Sequence, residues 1–399
     1  MTDISLNKKQ IDDKKILSII SEIYENVYQQ KDFEEYLPSI QGEIGFPTAK
    51  KYPFANKTAF HMYPKKAGEQ IEKLTELVPV KQIYYAMKAN SRHEILQEVA
   101  KKNAGCDCAS VKEVQDALNY FDPKNILFSN PLCTREEIEQ IIGLGVRKFV
   151  IHSEEYLEIF PQECCILLRI ATNPDTSRWS LGNKFGCDKK STLNILKKLC
   201  KKSFSKIGIS FHVGSQNEHP DSWKEALEKA NQLQKKFPKI NVVDLGGGFP
   251  ISYDNQISET FIPEVKQLVE EYISKETTII IEPGRFIAAP TTILQAQVKS
   301  IRTFNDTKWI YLDVGIYQGM FEAVGNLKFT PLSTKTGVVE EVILAGPTCD
   351  GIDVISKKIK IPQTTSAGDF VIFENAGAYS IESRTQFNGF NSPEVIVHE

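Results

Sequence analysis

The residues best suited to chemistry in this sequence each lie at or near the end of a short apolar run. Lys88 follows the first run, in the segment YYAMKAN, where burying an ammonium group is costly unless the group has a use. The residues at the ends of the other runs are Asp107, Asn130, His152, Arg169, His212, Gly246, Gly247, Gly248, Glu282, Gly284 and Arg285. Each alone has an ordinary explanation as a cap, a loop glycine or a solvated charge. Their shared placement predicts one polar cluster, as in an active site.

Two of these segments are suited to binding phosphate. VVDLGGGFP places three consecutive glycines after a buried run, so backbone N–H groups can approach an anion without obstruction by side chains. EPGR follows the next run and adds the guanidinium group of Arg285. Neither segment matches the P-loop pattern or the GxGxxG of dinucleotide-binding folds. The glycines alone therefore indicate a turn that can accept a phosphate. Whether this turn is a phosphate site depends on its position in the fold.

The apolar runs alternate with segments of helical periodicity from about residue 80 to 290. Eight runs are predicted as buried strands, over 82–87, 106–109, 125–129, 148–152, 165–170, 208–213, 241–245 and 278–282. This count, with helices between neighbouring strands, predicts a parallel (β/α)8 barrel, and an open doubly wound sheet is the alternative. In a barrel the polar residues above lie at the carboxyl ends of the strands, where barrel enzymes place their chemistry.

A lysine that faces a phosphate site across a barrel mouth suggests pyridoxal phosphate. This cofactor needs a lysine, a phosphate-binding loop and an acid beside its ring nitrogen. Lys88, the three glycines and Glu282 supply these three groups. We therefore expect pyridoxal 5'-phosphate as the cofactor and no metal ion.

The pattern changes after residue 290, where strand-like runs follow one another without long helices. We predict a mainly antiparallel β-sheet domain over 291–399, after an α/β barrel domain over 64–290. The segment 58–63 reads as a strand that joins the second domain. The segment 1–57 is predicted to be an amino-terminal extension with one amphipathic helix.

The composition excludes several classes of protein. Hydrophobic residues make up 41% of the chain and charged residues 25%, and the net charge of −3 gives no support for nucleic-acid binding. The polar amino terminus lacks the apolar core of a signal peptide, and no apolar run approaches the ~20 residues that span a bilayer. We therefore expect a cytoplasmic protein that binds neither nucleic acid nor a membrane. The eight cysteines lack zinc-site spacing, and all but Cys349 are expected to be ordinary packing residues.

The motifs in their order resemble those of the fold-type III pyridoxal-phosphate decarboxylases. The resemblance runs from about residue 58 to 390 and includes YYAMKAN, CDCASVKEV, FSNP, SFHVGSQ, DLGGGFP, IEPGR, GPTCDGID and FENAGAYS. The family contains ornithine, lysine, arginine and diaminopimelate decarboxylases, and the likeness is strongest to the ornithine/lysine group. It implies an alanine racemase-like barrel, a β-sheet domain and the decarboxylation of an amino acid.

The resemblance also implies a role for each matching residue. Lys88 would form the Schiff base with the cofactor, His212 would stack on the ring, and Glu282 would pair with the ring nitrogen. The residues implied to hold the phosphate are Ser215, Gly247, Gly248, Gly284, Arg285 and Tyr379. Those implied to support the ring and the lysine are Asp107, Glu113 and Arg169. Burial is expected to lower the pKa of Lys88 toward a useful range.

In this family part of the site comes from a second subunit, so the resemblance implies a homodimer. Cys349 would enter the partner's site and return a proton to the substrate after carbon dioxide leaves. Asp350 would bind the distal amine of the substrate, and Tyr317 and Phe387 would line the pocket.

The substrate is the least determined property. Asp350 stands where diaminopimelate decarboxylases carry a glutamate, which favours a substrate with a simple distal cation. Eukaryotic ornithine decarboxylases place a second aspartate near the position of Asn326, and Glu322 is the nearest acid that could replace it. An ordinary solvent-facing glutamate is the alternative for Glu322. We expect ornithine or lysine as the substrate, in polyamine biosynthesis; arginine, meso-diaminopimelate or carboxynorspermidine decarboxylation, a racemase and a non-catalytic regulatory homologue are the alternatives.

Overall fold

The structure is a computed structural model that describes residues 56–77, 79–172, 177–179, 184–253, 261–333 and 335–399. The predicted amphipathic helix of the segment 1–57 lies outside these residues. Within them, no helix is both long enough and apolar enough to span a bilayer.

The first unit of the chain is a closed barrel of parallel strands, entered after the strand β1 (Ala59–Met62). Its eight strands are β2 (Gln82–Ala86), β3 (Gly105–Cys108), β4 (Ile126–Phe128), β5 (Lys148–Ile151), β6 (Cys165–Arg169), β8 (Lys206–Ser210), β10 (Ile240–Asp244) and β11 (Thr278–Ile281). A two-stranded antiparallel ribbon beside the barrel pairs β7 (Ser177–Trp179) with β9 (Ser215–Asn217). The barrel is closed because β11 pairs with β2, which confirms the barrel and excludes the open sheet.

Helices connect most of the barrel strands. They are α1 (Lys65–Leu77), α2 (His93–Lys101), α3 (Val111–Ala117), α4 (Arg135–Gly143), α5 (Lys189–Leu199), α6 (Asp221–Lys236), α7 (Phe261–Tyr272) and the short α8 (Arg285–Ala288). The expectation of a helix between all neighbouring strands is wrong at one place. Residues 152–164, all described, connect β5 to β6 through turns and bends and contain no helix.

Local capping explains where several of these helices begin. The Ser110 side chain accepts the backbone N–H of Glu113 at the start of α3, and Asp188 accepts that of Ser191 at the start of α5. At α4, Thr134 and Glu137 cap each other reciprocally. These caps fix the helix starts close to the strand ends, and so fix the loops that carry the polar residues.

The second unit is a mostly antiparallel sheet, as predicted. Its strands besides β1 are β12 (Thr292–Phe304), β13 (Thr307–Leu312), β14 (Pro331–Ser333), β15 (Val339–Ala345), β16 (Val354–Pro362), β17 (Phe370–Phe373) and β18 (Glu394–Val397). The pairs β1–β18 and β13–β15 are parallel. β1 pairs antiparallel with β12, so the first described strand lies in the sheet and the chain then enters the barrel. The domain limits at residues 64 and 291 stay predictions.

Candidate active site

Lys88 lies directly beyond β2, in a single helical turn over Met87–Ala89. The β-sheet unit holds this turn: the N–H of Tyr379 donates to the carbonyl of Ala89 at 2.8 Å, and the Asn90 side chain donates to the carbonyl of Gly377 at 3.0 Å. The lysine side chain remains 47% exposed. The two units therefore position Lys88 together and leave its amine accessible.

The amine of Lys88 is paired with a buried carboxylate. Its Nζ lies 3.0 Å from Oδ2 of Asp107, which is only 2% exposed on β3. Burial acts to lower the pKa of Lys88, but Asp107, Tyr379 and Glu282 together raise it above its ordinary value. The expectation of a lowered pKa is therefore wrong, because the acids around the amine outweigh its burial. Burial also raises the pKa of Asp107 to about 6, with Glu282 adding to the effect and Lys88 opposing it.

His212 is held as a neutral imidazole. Its Nδ1 accepts the backbone N–H of Gly214 at 2.9 Å, which leaves Nε2 as the protonated nitrogen. Burial, then Arg169 and Lys88, place the pKa of His212 well below its ordinary value. A Cβ at Gly247 would lie 3.2 Å from Nε2 and 2.7 Å from the carbonyl oxygen of Glu282, so only glycine fits beside the ring.

Glu282 shares its surroundings with a second buried acid. Oε2 of Glu282 accepts the hydroxyl of Ser129 at 2.9 Å. Its side chain also lies within hydrogen-bonding reach of Asp244, which is fully buried and accepts the N–H of Gly246 at 2.9 Å. Burial and this neighbour raise the pKa of Glu282 well above its ordinary value, and burial raises that of Asp244. Each carboxyl group of such a pair disfavours ionisation of the other, which adds to the effect of burial on the pKa of Glu282.

One cavity brings most of the predicted cofactor residues together. Its lining consists of Ala86, Lys88, His212, Ser215, Gly247, Gly248, Phe249, Glu282, Gly284, Arg285 and Tyr379. The backbone of Gly248 has φ of +102°, and Tyr379 holds φ of +60°, a conformation that is uncommon for an aromatic residue. Such strain at the rim of a cavity is typical of a functional site.

Arg285 and Glu322 form a bidentate ion pair at this cavity. NH1 of Arg285 lies 2.6 Å from Oε2 of Glu322, and NH2 lies 2.5 Å from Oε1. Arg285 also donates to the hydroxyl groups of Tyr253 at 3.1 Å and Ser215 at 3.2 Å. Glu322 therefore binds the arginine expected to contact phosphate, and the solvent-facing position considered for it is not observed.

Arg169 and Glu113 are not part of the lining of this cavity. The guanidinium group of Arg169 lies 4.9 Å from the ring centroid of Phe185, and burial lowers its pKa. Glu113 accepts the N–H of Ala109 at 2.6 Å, directly after β3. Both residues can support the cavity through the strand ends they contact.

Cys349 and Asp350 lie on a loop of the β-sheet unit and are not among the residues that line the Lys88 cavity. The hydroxyl of Tyr317 donates to Oδ2 of Asp350, and its ring stacks on Phe387 with a centroid distance of 4.3 Å. The N–H of Cys349 donates to Oδ1 of Asn388 at 3.2 Å, and the cysteine itself is exposed. These residues form a second cluster, separate from the first within this chain.

Asp353 supports the Cys349 loop from inside. It is 2% exposed and accepts the N–H of Ile316 at 2.8 Å and both the N–H and the hydroxyl of Thr348, at 3.0 and 2.7 Å. It thereby joins the Tyr317 segment to the Cys349 loop.

Two residues of the predicted cluster lie elsewhere. Asn130 and His152 line a different cavity, between the ends of β4 and β5, and Asn130 donates to the carbonyl of Ala109 at 2.9 Å. Their position after apolar runs was the same signal that found Lys88, so strand-end placement alone does not separate structural residues from site residues.

Four residues with contacts at these sites were not predicted from the sequence: Ser129, Asp244, Tyr253 and Asp353. Asp244 and Asp353 stand inside the motifs DLGGGFP and GPTCDGID, which is the signal that could have found them. Ser129, which contacts Glu282, likewise stands inside the motif FSNP, whereas nothing in the spacing of Tyr253 indicates its contact with Arg285.

Residues 65–289 match the family described as pyridoxal-dependent decarboxylase, pyridoxal binding domain. A probable ornithine decarboxylase of Dictyostelium discoideum is 32% identical over 83% of this chain and 77% of its own. A lysine/ornithine decarboxylase of Selenomonas ruminantium is 28% identical over 84% of this chain and 88% of its own. The crystal structure of the Paramecium bursaria Chlorella virus arginine decarboxylase bound to agmatine superposes with a TM-score of 0.79, at 26% identity, over 90% of this chain and all of that one.

The residues at the Lys88 cavity fit pyridoxal phosphate. An accessible amine, a carboxyl pair that can face a ring nitrogen, a neutral imidazole and a glycine loop that a Cβ would fill are all present. This donor set suits a flat heteroaromatic ring with an anionic tail. The chain belongs to the pyridoxal-dependent decarboxylases and is a pyridoxal-phosphate-dependent amino-acid decarboxylase.

Proposed function

We propose that this enzyme decarboxylates a basic amino acid, ornithine or lysine, to the corresponding diamine and thereby supplies polyamine biosynthesis. The names of the Dictyostelium and Selenomonas relatives support this substrate class. We further propose that it works as a homodimer in which each site uses residues of both subunits. The cytoplasmic location stays a prediction from the polar amino terminus.

The position of Asp350 beside the stacked rings of Tyr317 and Phe387 is the observation that carries the substrate class. Its pKa lies below its ordinary value because Tyr317 donates to it, and the N–H of Ile352 adds to the effect. An ionised carboxylate beside two stacked aromatic rings can bind an alkyl ammonium group. Both oxygens of Glu322 bind Arg285, which supports Asp350 as the acid of the predicted pair that binds the ammonium group.

Pyridoxal phosphate supplies the electron sink that accepts the electron pair released when the Cα–carboxylate bond breaks. Lys88 would hold the cofactor covalently, and Asp107 keeps its amine in place. His212, kept neutral, can pack on the ring without placing a cation there. The Glu282–Asp244 pair can hold the proton at the ring nitrogen, which maintains the ring as an acceptor.

The phosphate would be held chiefly by the backbone N–H groups of Gly247 and Gly248 and by the hydroxyl groups of Ser215 and Tyr379, beside Gly284 and Arg285. Cys349 of the partner subunit would return a proton to Cα after carbon dioxide leaves. Its exposure on a loop outside the Lys88 cavity supports this role, since a donor buried elsewhere could not reach a second subunit.

A substrate panel tests the proposal. Purified enzyme supplied with pyridoxal phosphate would be incubated separately with ornithine, lysine, arginine, meso-diaminopimelate and carboxynorspermidine, and released carbon dioxide would be measured. We expect the largest kcat/KM with ornithine or lysine. Turnover of diaminopimelate alone would contradict the role given to Asp350, and no turnover of any substrate would favour a non-catalytic homologue.

A further inference from the structure

The Arg285–Glu322 pair uses every terminal N–H of the arginine. NH1 donates to Glu322 and Tyr253, and NH2 donates to Glu322 and Ser215. Each of these nitrogens carries two N–H groups, so four donors meet four acceptors. The ring of Tyr379 covers one face of the guanidinium group, 5.1 Å from its centroid. A phosphate that takes a bidentate contact with this fork must displace one of these partners.

The pair is also electrically neutral and almost fully enclosed. The side chains of Arg285 and Glu322 are 3% and 11% exposed. Charges this deeply enclosed are little screened, so the carboxylate cancels much of the attraction that Arg285 would exert on an anion in the same cavity. Glu322 therefore opposes phosphate binding twice, once by occupying the fork and once by its charge.

We infer that Glu322 is a competing counter-ion for Arg285, which weakens the hold of the site on the phosphate group of the cofactor. The glycine backbone and the hydroxyl groups carry most of that hold. Apart from the covalent bond between the cofactor and Lys88, Glu322 therefore sets how tightly the protein binds the phosphorylated cofactor. This inference rests on the pyridoxal phosphate dependence of the enzyme, and it differs from the substrate-binding role first expected of Glu322.

A positioning role predicts the opposite sign. If Glu322 only orients Arg285 toward phosphate, removing its charge misplaces the fork and phosphate binds more weakly. The competing role predicts that the released fork binds phosphate and that phosphate binds more tightly. The sign of one measured change therefore decides between the two.

The experiment compares two ligands that differ only in the phosphate group. Pyridoxal and pyridoxal phosphate would be titrated separately into the full-length protein after its cofactor has been removed by dialysis, and Kd would be measured by absorbance. The ratio of Kd for pyridoxal to Kd for pyridoxal phosphate isolates the phosphate contribution. We expect this ratio to rise by about tenfold in Glu322→Gln, as loss of one nearby opposing charge implies.

The chain offers a matched control. Glu94 forms a similar two-bond pair with Arg92, at 2.7 and 3.1 Å, and neither residue lines the Lys88 cavity. Glu94→Gln removes the same charge from the same kind of pair and should leave the ratio unchanged. Thermal unfolding with and without pyridoxal phosphate gives a second readout, since a ligand that binds more tightly stabilises more.

A ratio that stays equal or falls in Glu322→Gln overturns the inference while leaving the cofactor assignment intact. A wild-type protein that binds neither ligand overturns both. Should Glu322→Gln fail to fold, Glu322→Asp withdraws the carboxylate from the fork, and an increased ratio there supports the inference while an unchanged one contradicts it.

Discussion

The Lys88 cavity and the Cys349 loop differ in how much of their surroundings this chain supplies. At the cavity, Glu282 and Arg285 in its lining and Asp107, the partner of Lys88, are each at most 7% exposed and contact other residues of the same chain. Around the loop, Phe321, Val324, Ile352 and Phe387 are large apolar side chains that are 41% to 57% exposed. Clustered exposed apolar residues are typical of a surface that another molecule covers. One chain therefore supplies the surroundings of the Lys88 cavity and leaves the Cys349 loop among exposed apolar side chains, as the proposed sharing of the site between two copies requires.

We expect the largest effect on activity from a substitution in the Lys88 cavity. Lys88→Ala should reduce decarboxylation by about 10⁴-fold or more and remove the visible absorbance of the bound cofactor, because Lys88 is the only lysine among the described residues that line the cavity. Lys81→Ala, an exposed lysine before the same strand, is the control. A Lys88→Ala protein that kept both its colour and its turnover would show that the cavity has been misassigned.

Removing a charge at the Cys349 loop should leave cofactor binding unchanged and reduce the turnover of a basic substrate. Asp350→Asn should lower kcat/KM for a basic substrate by about 10²-fold, since the ammonium group loses its counter-ion, while the cofactor absorbance remains. The exposed Asp116→Asn is the matched charge control. Equal loss of absorbance and turnover in Asp350→Asn would place this residue at the cofactor instead.

Replacing Asp353, which supports the Cys349 loop, should have a smaller effect on the enzyme than replacing Asp350 in the loop. Asp353→Asn converts a carboxylate that accepts three hydrogen bonds into an amide with one acceptor oxygen, so we expect a loss of about 1–3 kcal/mol in the free energy of unfolding. Urea titration measures this change. An unaltered unfolding midpoint, with unaltered turnover, would mean that the loop holds its shape without Asp353.

The smallest effect is a pH dependence of the cavity. Because the pKa of His212 is lowered in the folded protein, the unfolded chain binds a proton first as the pH falls below about 6.5. The contribution of His212 is therefore complete above that pH and is lost progressively as the pH falls below it. Urea unfolding across this range should show a shallower loss in His212→Asn than in the exposed control His219→Asn. Identical slopes in the two variants would contradict the neutral imidazole.

The sequence predicted the barrel well because its signal is local. Each strand carries its own apolar run, and all eight runs correspond to observed strands. The short strands β14 and β18 were missed, since three or four residues such as Pro331–Ser333 carry no periodicity to recognise. The connection over 152–164 forms turns, although the alternation of strands and helices predicted a helix there.

At the site, residue types were predictable and their electrostatics were not. Lys88 was found from its place after an apolar run, but its raised pKa depends on Asp107 and Glu282, which are distant in sequence. Glu322 was noticed for its charge, whereas its partner Arg285 lies 37 positions away. Contacts between residues this far apart in the sequence follow from the fold and cannot be predicted from local residue spacing.

The most direct test of the central claim is to mix two inactive variants, Lys88→Ala and Cys349→Ala, as full-length proteins. If each site joins the cavity of one copy to the loop of another, random pairing restores about a quarter of wild-type activity, because half of the dimers carry one complete site. A mixture no more active than either variant alone would contradict a site shared between two copies.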